Sequence, residues 1–453
     1  MKFLKNKTVL IIIIVFFIFL IGTLVVINKT RDISIQNNKK NLSIHNISKD
    51  DIKKYSLDIT GNTDTTSAFQ KMVDSYPSGS TINLPEGKYS LQGTVKLPDG
   101  IKLASENKAI LIGSGKNTLF NVGNNDTFQS IDFQNCSTAI NVDKKSGLKV
   151  TKCKFTNKIY YTAINISSSS KCNISNSYFS GIKQYGIKID NDSSNITINK
   201  NNFDNDKVFG GYDKEQISGH IYCLNGTKIS VTNNILKNNG GQGVLFGFNS
   251  TTGKGTTNSV ASGNTCIGNG QEGLTIYGGD KKVTSGNSII GNVSKNNRFN
   301  QIEIWQTDNN IVKNNTVEES IKGVGNLGAI CLYDTSNTKA TYNKILSSQK
   351  NGIDITAGSS NCLVSNNIIK NTNGENDNNA PEKGNGILLD SNGKAQPQYI
   401  IIKDNKISSS NAVIDKSGIY STSNTNQHNT IANNIINGYK VGLHEYAKMT
   451  IEK

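Results

Sequence analysis

The sequence predicts an all-β solenoid, a single-stranded parallel β-helix, on three observations. A limb of glycine, apolar, any residue, apolar recurs along the 453 residues. It appears as Gly186-Ile187-Lys188-Ile189, Gly243-Val244-Leu245-Phe246, Gly273-Leu274-Thr275-Ile276 and Gly352-Ile353-Asp354-Ile355. Its first apolar residue falls at Ile164, Ile187, Ile221 and onward to Leu443, in steps of 23 to 34 residues. A companion limb, apolar-x-x-Asn-x-apolar, appears at Val231–Leu236, Val364–Ile369 and Ile431–Ile436. An Asn returns to one slot of this limb in coil after coil, from Asn201 through Asn234, Asn264 and Asn292 to Asn434.

Each limb alternates apolar and polar residues, which is strand periodicity. A strand this short cannot bury its inner face alone; stacked coils give every strand two parallel neighbours and one continuous interior. The period is too long for a hexapeptide solenoid and lacks leucine-rich spacing, so three sides with variable loops are expected. The Asn column is expected to hydrogen-bond from coil to coil. Composition agrees: only 7% aromatic residues argues against an ordinary globular core, 18% charged residues against disorder, and the 42 Gly lack a collagen triplet. The seven Cys include Cys153, Cys223 and Cys266 at inward slots, read as small apolar residues without a disulfide framework.

The ends of the solenoid are read next. Lys2, Lys5 and Lys7 precede an uncharged run, Thr8 to Ile27. Twenty helical residues span about 30 Å, one bilayer core. An uncleaved transmembrane anchor over 8–27 is therefore expected, with a cytoplasmic stub 1–7 and an extracytoplasmic, cell-surface ectodomain. Residues 28–50 read as a polar tether, 51–90 as the N-terminal cap and 91–453 as the β-helix. Ala68, Phe69, Met72 and Val73 form one apolar stripe on a helix opened by Asp64 or Thr65, which is expected to be the capping helix.

The formal net charge is +15, and of 49 basic residues only Arg31 and Arg298 are Arg. Base readers and phosphate forks use Arg, so nucleic acid is not the expected partner. An anionic glycan or wall polymer suits a lysine-rich surface.

Asp64-Thr65-Thr66-x-Ala68-Phe69-Gln70, followed by Gly79-x-Thr81-Ile82-x-Leu84-Pro85-x-Gly87-x-Tyr89, resembles the opening coil of the pectate-lyase-like superfamily. The resemblance runs from about residue 50 to the end and implies a right-handed helix. That superfamily holds polysaccharide lyases, glycoside hydrolases, uronan C5-epimerases, phage tailspikes and non-catalytic surface proteins, so it implies a carbohydrate partner without choosing a reaction.

Register then selects outward residues. Side chains flanking the inward pair of each limb are expected on the surface. Tyr277, Trp305 and Tyr333 share one such column and are expected to stack sugar rings. Gln301, Lys188 and Asp190 join them as substrate contacts. Glu303, Arg298, His220, Tyr222 and Asp354 are the expected catalytic set. Arg298 would clamp a sugar carboxylate; His220 or Tyr222 would move protons; Glu303 would tune a base or hold a divalent cation such as calcium. No EF-hand or RTX calcium motif is present, so no cofactor is assigned. The stretch Tyr212-Asp213 to Gly219-His220 is similar, with different spacing, to the Tyr/Asp/His cluster of uronan C5-epimerases, and a loop over 209–216 would wall the groove. Asp354 and Asp390, about 8 Å apart by register, supply a hydrolase alternative.

The leading expectation is thus a membrane-anchored lyase or C5-epimerase acting on an anionic, uronic-acid polysaccharide. The alternatives are a glycoside hydrolase on the same groove and a non-catalytic glycan or cell-wall binder of exopolysaccharide assembly.

Overall fold

The computed structural model describes residues 43–106, 108–205, 219–322, 324–372, 383–410, 416–423, 427–444 and 450–452. Among them the chain winds as a parallel β-helix. One coil shows the plan: Val260–Ser262 lies on the first face, Thr265–Ile267 on the second and Leu274–Tyr277 on the third. The first face is a sixteen-stranded sheet. Ladders between coils are parallel and hold the expected register: Ile187 pairs Ile221, Val244 pairs Leu274, Ile302 pairs Ile330, and Ile387 pairs Ile419. The interior apolar residues stack in the same order and are solvent-free.

The turn between the first and second faces explains the Asn-Asn pairs. Its first residue takes a left-handed backbone, with φ of 55° at Asn233, 57° at Asn366 and 52° at Asn433. Asn tolerates that region better than other side-chain-bearing residues. The second Asn points inward and builds the expected column. Asn234 Nδ2 donates to Asn264 Oδ1 at 3.0 Å, Asn264 to Asn292 at 3.0 Å, and Asn292 to Asn315 at 3.0 Å. The same oxygens also accept the backbone N–H of the previous coil, as Asn264 Oδ1 does from Asn234 at 3.0 Å. A buried turn thereby loses no polar partner.

Aromatic stacking fills the N-terminal coils. Phe133, Phe155, Phe179 and Phe203 stack at 5.0, 4.6 and 4.2 Å with near-parallel rings. Helix Thr66–Asp74 sends Phe69, Met72 and Val73 into the interior, where Phe69 meets Tyr89 and Phe120 edge-on. All seven Cys are buried and free.

Two features correct the sequence reading. Strand Ile44–Asn46 pairs with Thr81–Asn83, so the first face begins inside the stretch read as tether; the backbone hydrogen bonds of the first full coil need a neighbour on that edge. The second concerns the glycine slot of each limb. Strand alternation puts it outward, but the chain bends there and the slot faces the interior. A Cβ at Gly273 would lie 2.0 Å from Ser294 Oγ, and one at Gly386 would lie 2.3 Å from Ile407 Cγ2. The expected anchor over 8–27 lies outside the described residues. Among those described, no helix is long and apolar enough to cross a membrane.

Candidate active site

Third-face strands present their outward residues to a groove rather than to open solvent. Tyr222, Leu245, Thr275 and Asp354 occupy outward positions yet are almost inaccessible. A hairpin formed by Phe248–Asn249 and Lys254–Gly255 rises on one side, with Phe248 packed edge-on to Tyr277 at 5.3 Å. Phe299 and Asn326 also line the groove. It holds a cavity of 560 Å³.

Two carboxyl groups occupy it, Glu272 and Glu303. Glu303 is the ladder partner of Thr275, and Glu272 lies three residues before Thr275, so the pair meets across one coil step. Burial raises the Glu303 carboxyl well above its ordinary range, and the neighbouring Glu272 raises it further. Burial raises Glu272 as well, against hydrogen bonds that hold it down. Each carboxyl is oriented by an amide. Asn300 Nδ2 donates to Glu303 Oε2 at 2.7 Å, while Asn300 Oδ1 accepts from Leu327 N at 3.2 Å. Gln242 Nε2 donates to Glu272 Oε2 at 3.0 Å, and Tyr222 Oη donates to Gln242 Oε1 at 2.8 Å. These partners hold two carboxyls in one groove, which disfavours ionising both at once.

The expected residues divide sharply. Glu303, Tyr222, Tyr277 and Trp305 line the cavity. Tyr277, Trp305 and Tyr333 do follow one another in register, but they are not three open platforms. Trp305 and Tyr333 stack on each other at 3.6 Å and 8°, and Lys394 Nζ lies 5.1 Å from the Tyr333 ring centre. Tyr333 is therefore covered, whereas Tyr277 and Trp305 still border the cavity.

His220 and Gln301 were expected outward, and both point inward because they occupy the bent glycine slot. His220 ends the phenylalanine stack, 5.4 Å from the Phe203 ring, with Nε2 at 2.7 Å from Lys237 O. Burial lowers its pKa to about 4, so the ring is a neutral core group away from the groove. Gln301 is held by Asn297 and Glu319 inside the coil. Glu319 in turn accepts from Ser348 Oγ at 2.8 Å and Gln349 N at 2.9 Å.

Arg298 is exposed beside the groove, its guanidinium 5.5 Å from the Phe299 ring centre, and it does not line the cavity. Lys188 and Asp190 sit on the same face four coils earlier, with Lys188 Nζ 3.8 Å from Asp190 and within 6.0 Å of the Tyr185 ring centre. Asp354 lies two coils past Glu303, with Cys331 between them, packed against Gly328. Its carboxyl is pushed well up by burial, against a hydrogen bond from Asn351 that holds it down, with Asp390 and Glu319 adding to the rise. Asp390 pairs with the Thr356 position, as the register reading required, but neither Asp lines the cavity. The loop over 209–216 lies outside the described residues.

Sequence reasoning missed Glu272, Gln242, Gln271 and Asn300. All precede the glycine slot, which alternation had assigned to the solvent side. The available signal was Glu272 itself, a carboxylate flanking the limb one coil before Glu303.

The expected cation does not fit here. Glu303 has one carboxyl neighbour, and the Asn300 amide hydrogens point at it, which suits an oxygen acceptor and opposes a metal ion. Among the described residues no group of three or more His, Cys, Asp or Glu is placed to hold one.

The family model described as Right handed beta helix region matches residues 108–290 and 253–436. No curated protein matches the chain. Among solved structures, DFA-IIIase from Arthrobacter chlorophenolicus A6 in complex with GF2 is similar with a TM-score of 0.53 and 13% identity, over 72% of this chain and 94% of that one. The mannuronan C-5 epimerase AlgE6 A-module of Azotobacter vinelandii has a TM-score of 0.45 and 12% identity, over 90% and 98%. PfbA, a surface adhesin of Streptococcus pneumoniae, has 0.44 and 14%, over 88% and 91%. At such identities the likeness is one of fold.

Proposed function

The chain belongs to the right handed beta helix region family, and on that premise we propose that its third-face groove is the active site of an enzyme cleaving a polysaccharide by hydrolysis. The observation that carries this reading is the Glu272–Glu303 pair in an aromatic-walled groove. Glycoside hydrolysis needs one carboxyl kept protonated and one kept ionised. Glu303, whose carboxyl burial and the neighbouring Glu272 both raise, is the general acid that protonates the leaving oxygen. Glu272, oriented by Gln242, is the carboxylate that activates water or attacks the sugar. Trp305 and Tyr277 offer ring faces and edges to sugar rings.

This differs from the lyase or C5-epimerase expected from register. Those reactions need a cation against the sugar carboxylate and a base near C5. His220 is interior, and no Lys, Arg or His stands among the described residues lining the cavity. Arg298 at the rim is the observation that keeps elimination or epimerisation as a second reading. The apolar run over 8–27 would hold the enzyme at a membrane with the groove outside the cell, and helix Thr66–Asp74 would close the N-terminal end of the solenoid.

The test is a panel of neutral and uronic-acid polymers incubated with the full chain, with Glu303→Gln and Glu272→Gln beside it. New reducing ends without an unsaturated product, lost in both variants, are the expected result. Ultraviolet absorbance from an unsaturated product would replace hydrolysis with elimination.

A further inference from the structure

Most polar side chains around the groove spend their hydrogen bonds on each other. Tyr222, Gln242 and Asn300 are committed to the network that orients the two carboxyls. Two atoms are not. Gln271 Oε1 and Thr275 Oγ1 are buried, have no hydrogen-bond partner, and belong to residues lining the same cavity. Burying an oxygen without a donor costs free energy that the fold could have avoided with an apolar side chain. Thr275 and Glu303 are ladder partners, and Gln271 is the residue before Glu272, so the two unspent oxygens flank the carboxyl pair.

We propose, resting on the reading of this groove as a polysaccharide site, that it selects an uncharged sugar unit, and that Gln271 and Thr275 are its specificity-determining residues, each accepting a hydrogen bond from a sugar hydroxyl. Gln271 Oε1 can only accept and Thr275 Oγ1 accepts readily, so the ligand must bring donors. Hydroxyl groups do. A uronate carboxylate brings none and would enter beside two carboxyls with no basic side chain among the described lining residues. The lysine-rich exterior attracts polyanions everywhere on the surface, but that attraction is non-specific and screened by salt. The groove and the surface therefore favour different polymers.

The experiment is native gel electrophoresis of the full chain through gels containing dextran, β-glucan, inulin, glycol chitin, polygalacturonate or alginate. The protein carries Glu303→Gln, whose neutral amide mimics the protonated carboxyl and which slows turnover. At least one uncharged polymer should retard it, and retardation by polyuronates should disappear in raised salt. Adding Gln271→Leu or Thr275→Val should weaken the neutral-polymer dissociation constant by about fivefold to tenfold each. Thr275→Ser, which keeps the hydroxyl, should restore it, separating a lost hydrogen bond from a packing defect. Salt-resistant retardation by polyuronate alone overturns the proposal, as does retardation by none of the polymers. So does neutral-polymer binding that both variants leave unchanged. If the unsubstituted chain releases no reducing ends from a polymer that retards it, hydrolysis fails while the sugar selection stands.

Discussion

Glu272 and Glu303 share the groove across one coil step, and Glu272 raises the cost of ionising Glu303. Their amide partners flank them along the solenoid: Gln242 comes from the coil before Glu272, and Asn300 from the coil of Glu303 itself. The arrangement has consequences for pH that can be measured without knowing the substrate.

Glu303→Gln should flatten part of the stability profile. The folded carboxyl has a raised pKa, so above about pH 4.3 the folded state keeps a proton that the unfolded chain has released. Stability from this group is full below that pH and is lost as pH rises through the folded value. Thermal midpoints taken from pH 4 upward should therefore fall in the native chain relative to the variant. Parallel curves would show that Glu303 is not protonated in the fold. On an accepted substrate the variant should lose roughly 100-fold to 10,000-fold in rate.

Glu272→Gln should lower the pKa of Glu303, because it removes the like charge that lifts it. An infrared titration of the buried carboxyl band follows this directly: the protonated band of Glu303 should vanish at lower pH in the variant. A band unmoved by the substitution would mean that burial alone sets the value.

His220→Phe concerns acid stability. The buried ring titrates at about 4, below the ordinary value near 6.5, so stability is present above about pH 6.5 and lost as pH falls toward the folded value. The native chain should lose up to about 3 kcal/mol over that window. The variant extends the Phe133–Phe203 stack and should lack this loss, at a fixed cost from leaving Lys237 O without its partner. Equal acid sensitivity in both proteins would contradict the interior placement.

Asn264→Ala should be among the most damaging single changes, costing about 3 to 5 kcal/mol in denaturant titration. It strands the backbone N–H of Asn234, takes one of two partners from Asn234 Nδ2 and from Asn292 Oδ1, and removes the side-chain donor to Val231 O. Asn434→Ala, at the last rung, should cost about 1 to 2 kcal/mol, since fewer coils depend on it. A cost below about 1 kcal/mol at both positions would mean that the column is decorative.

The sequence carried much of this in particular residues. The spacing of Ile187, Ile221, Val244 and Leu274 placed the third-face strands in the register they adopt, because an apolar residue in a stacked coil has one inward position. Asn234, Asn264 and Asn292 declared their ladder for the same reason. Glu303, Trp305, Tyr277 and Tyr222 were found because they follow the limb's first apolar residue, where alternation holds. His220 and Gln301 were misplaced because they precede it, where the chain bends.

By itself, then, the sequence determined the solenoid, its period, the inward columns and half of the groove, since local alternation and repetition are properties of consecutive residues. Only the tertiary structure decided which outward residues meet. Glu272 reaches Glu303, Tyr333 is sealed by Trp305, Asp354 is buried away from the cavity and Arg298 stands beside it. Those outcomes depend on the bend at the glycine slot and on loops folding back over the sheet, and no repeat within one coil encodes the height of a neighbour's loop.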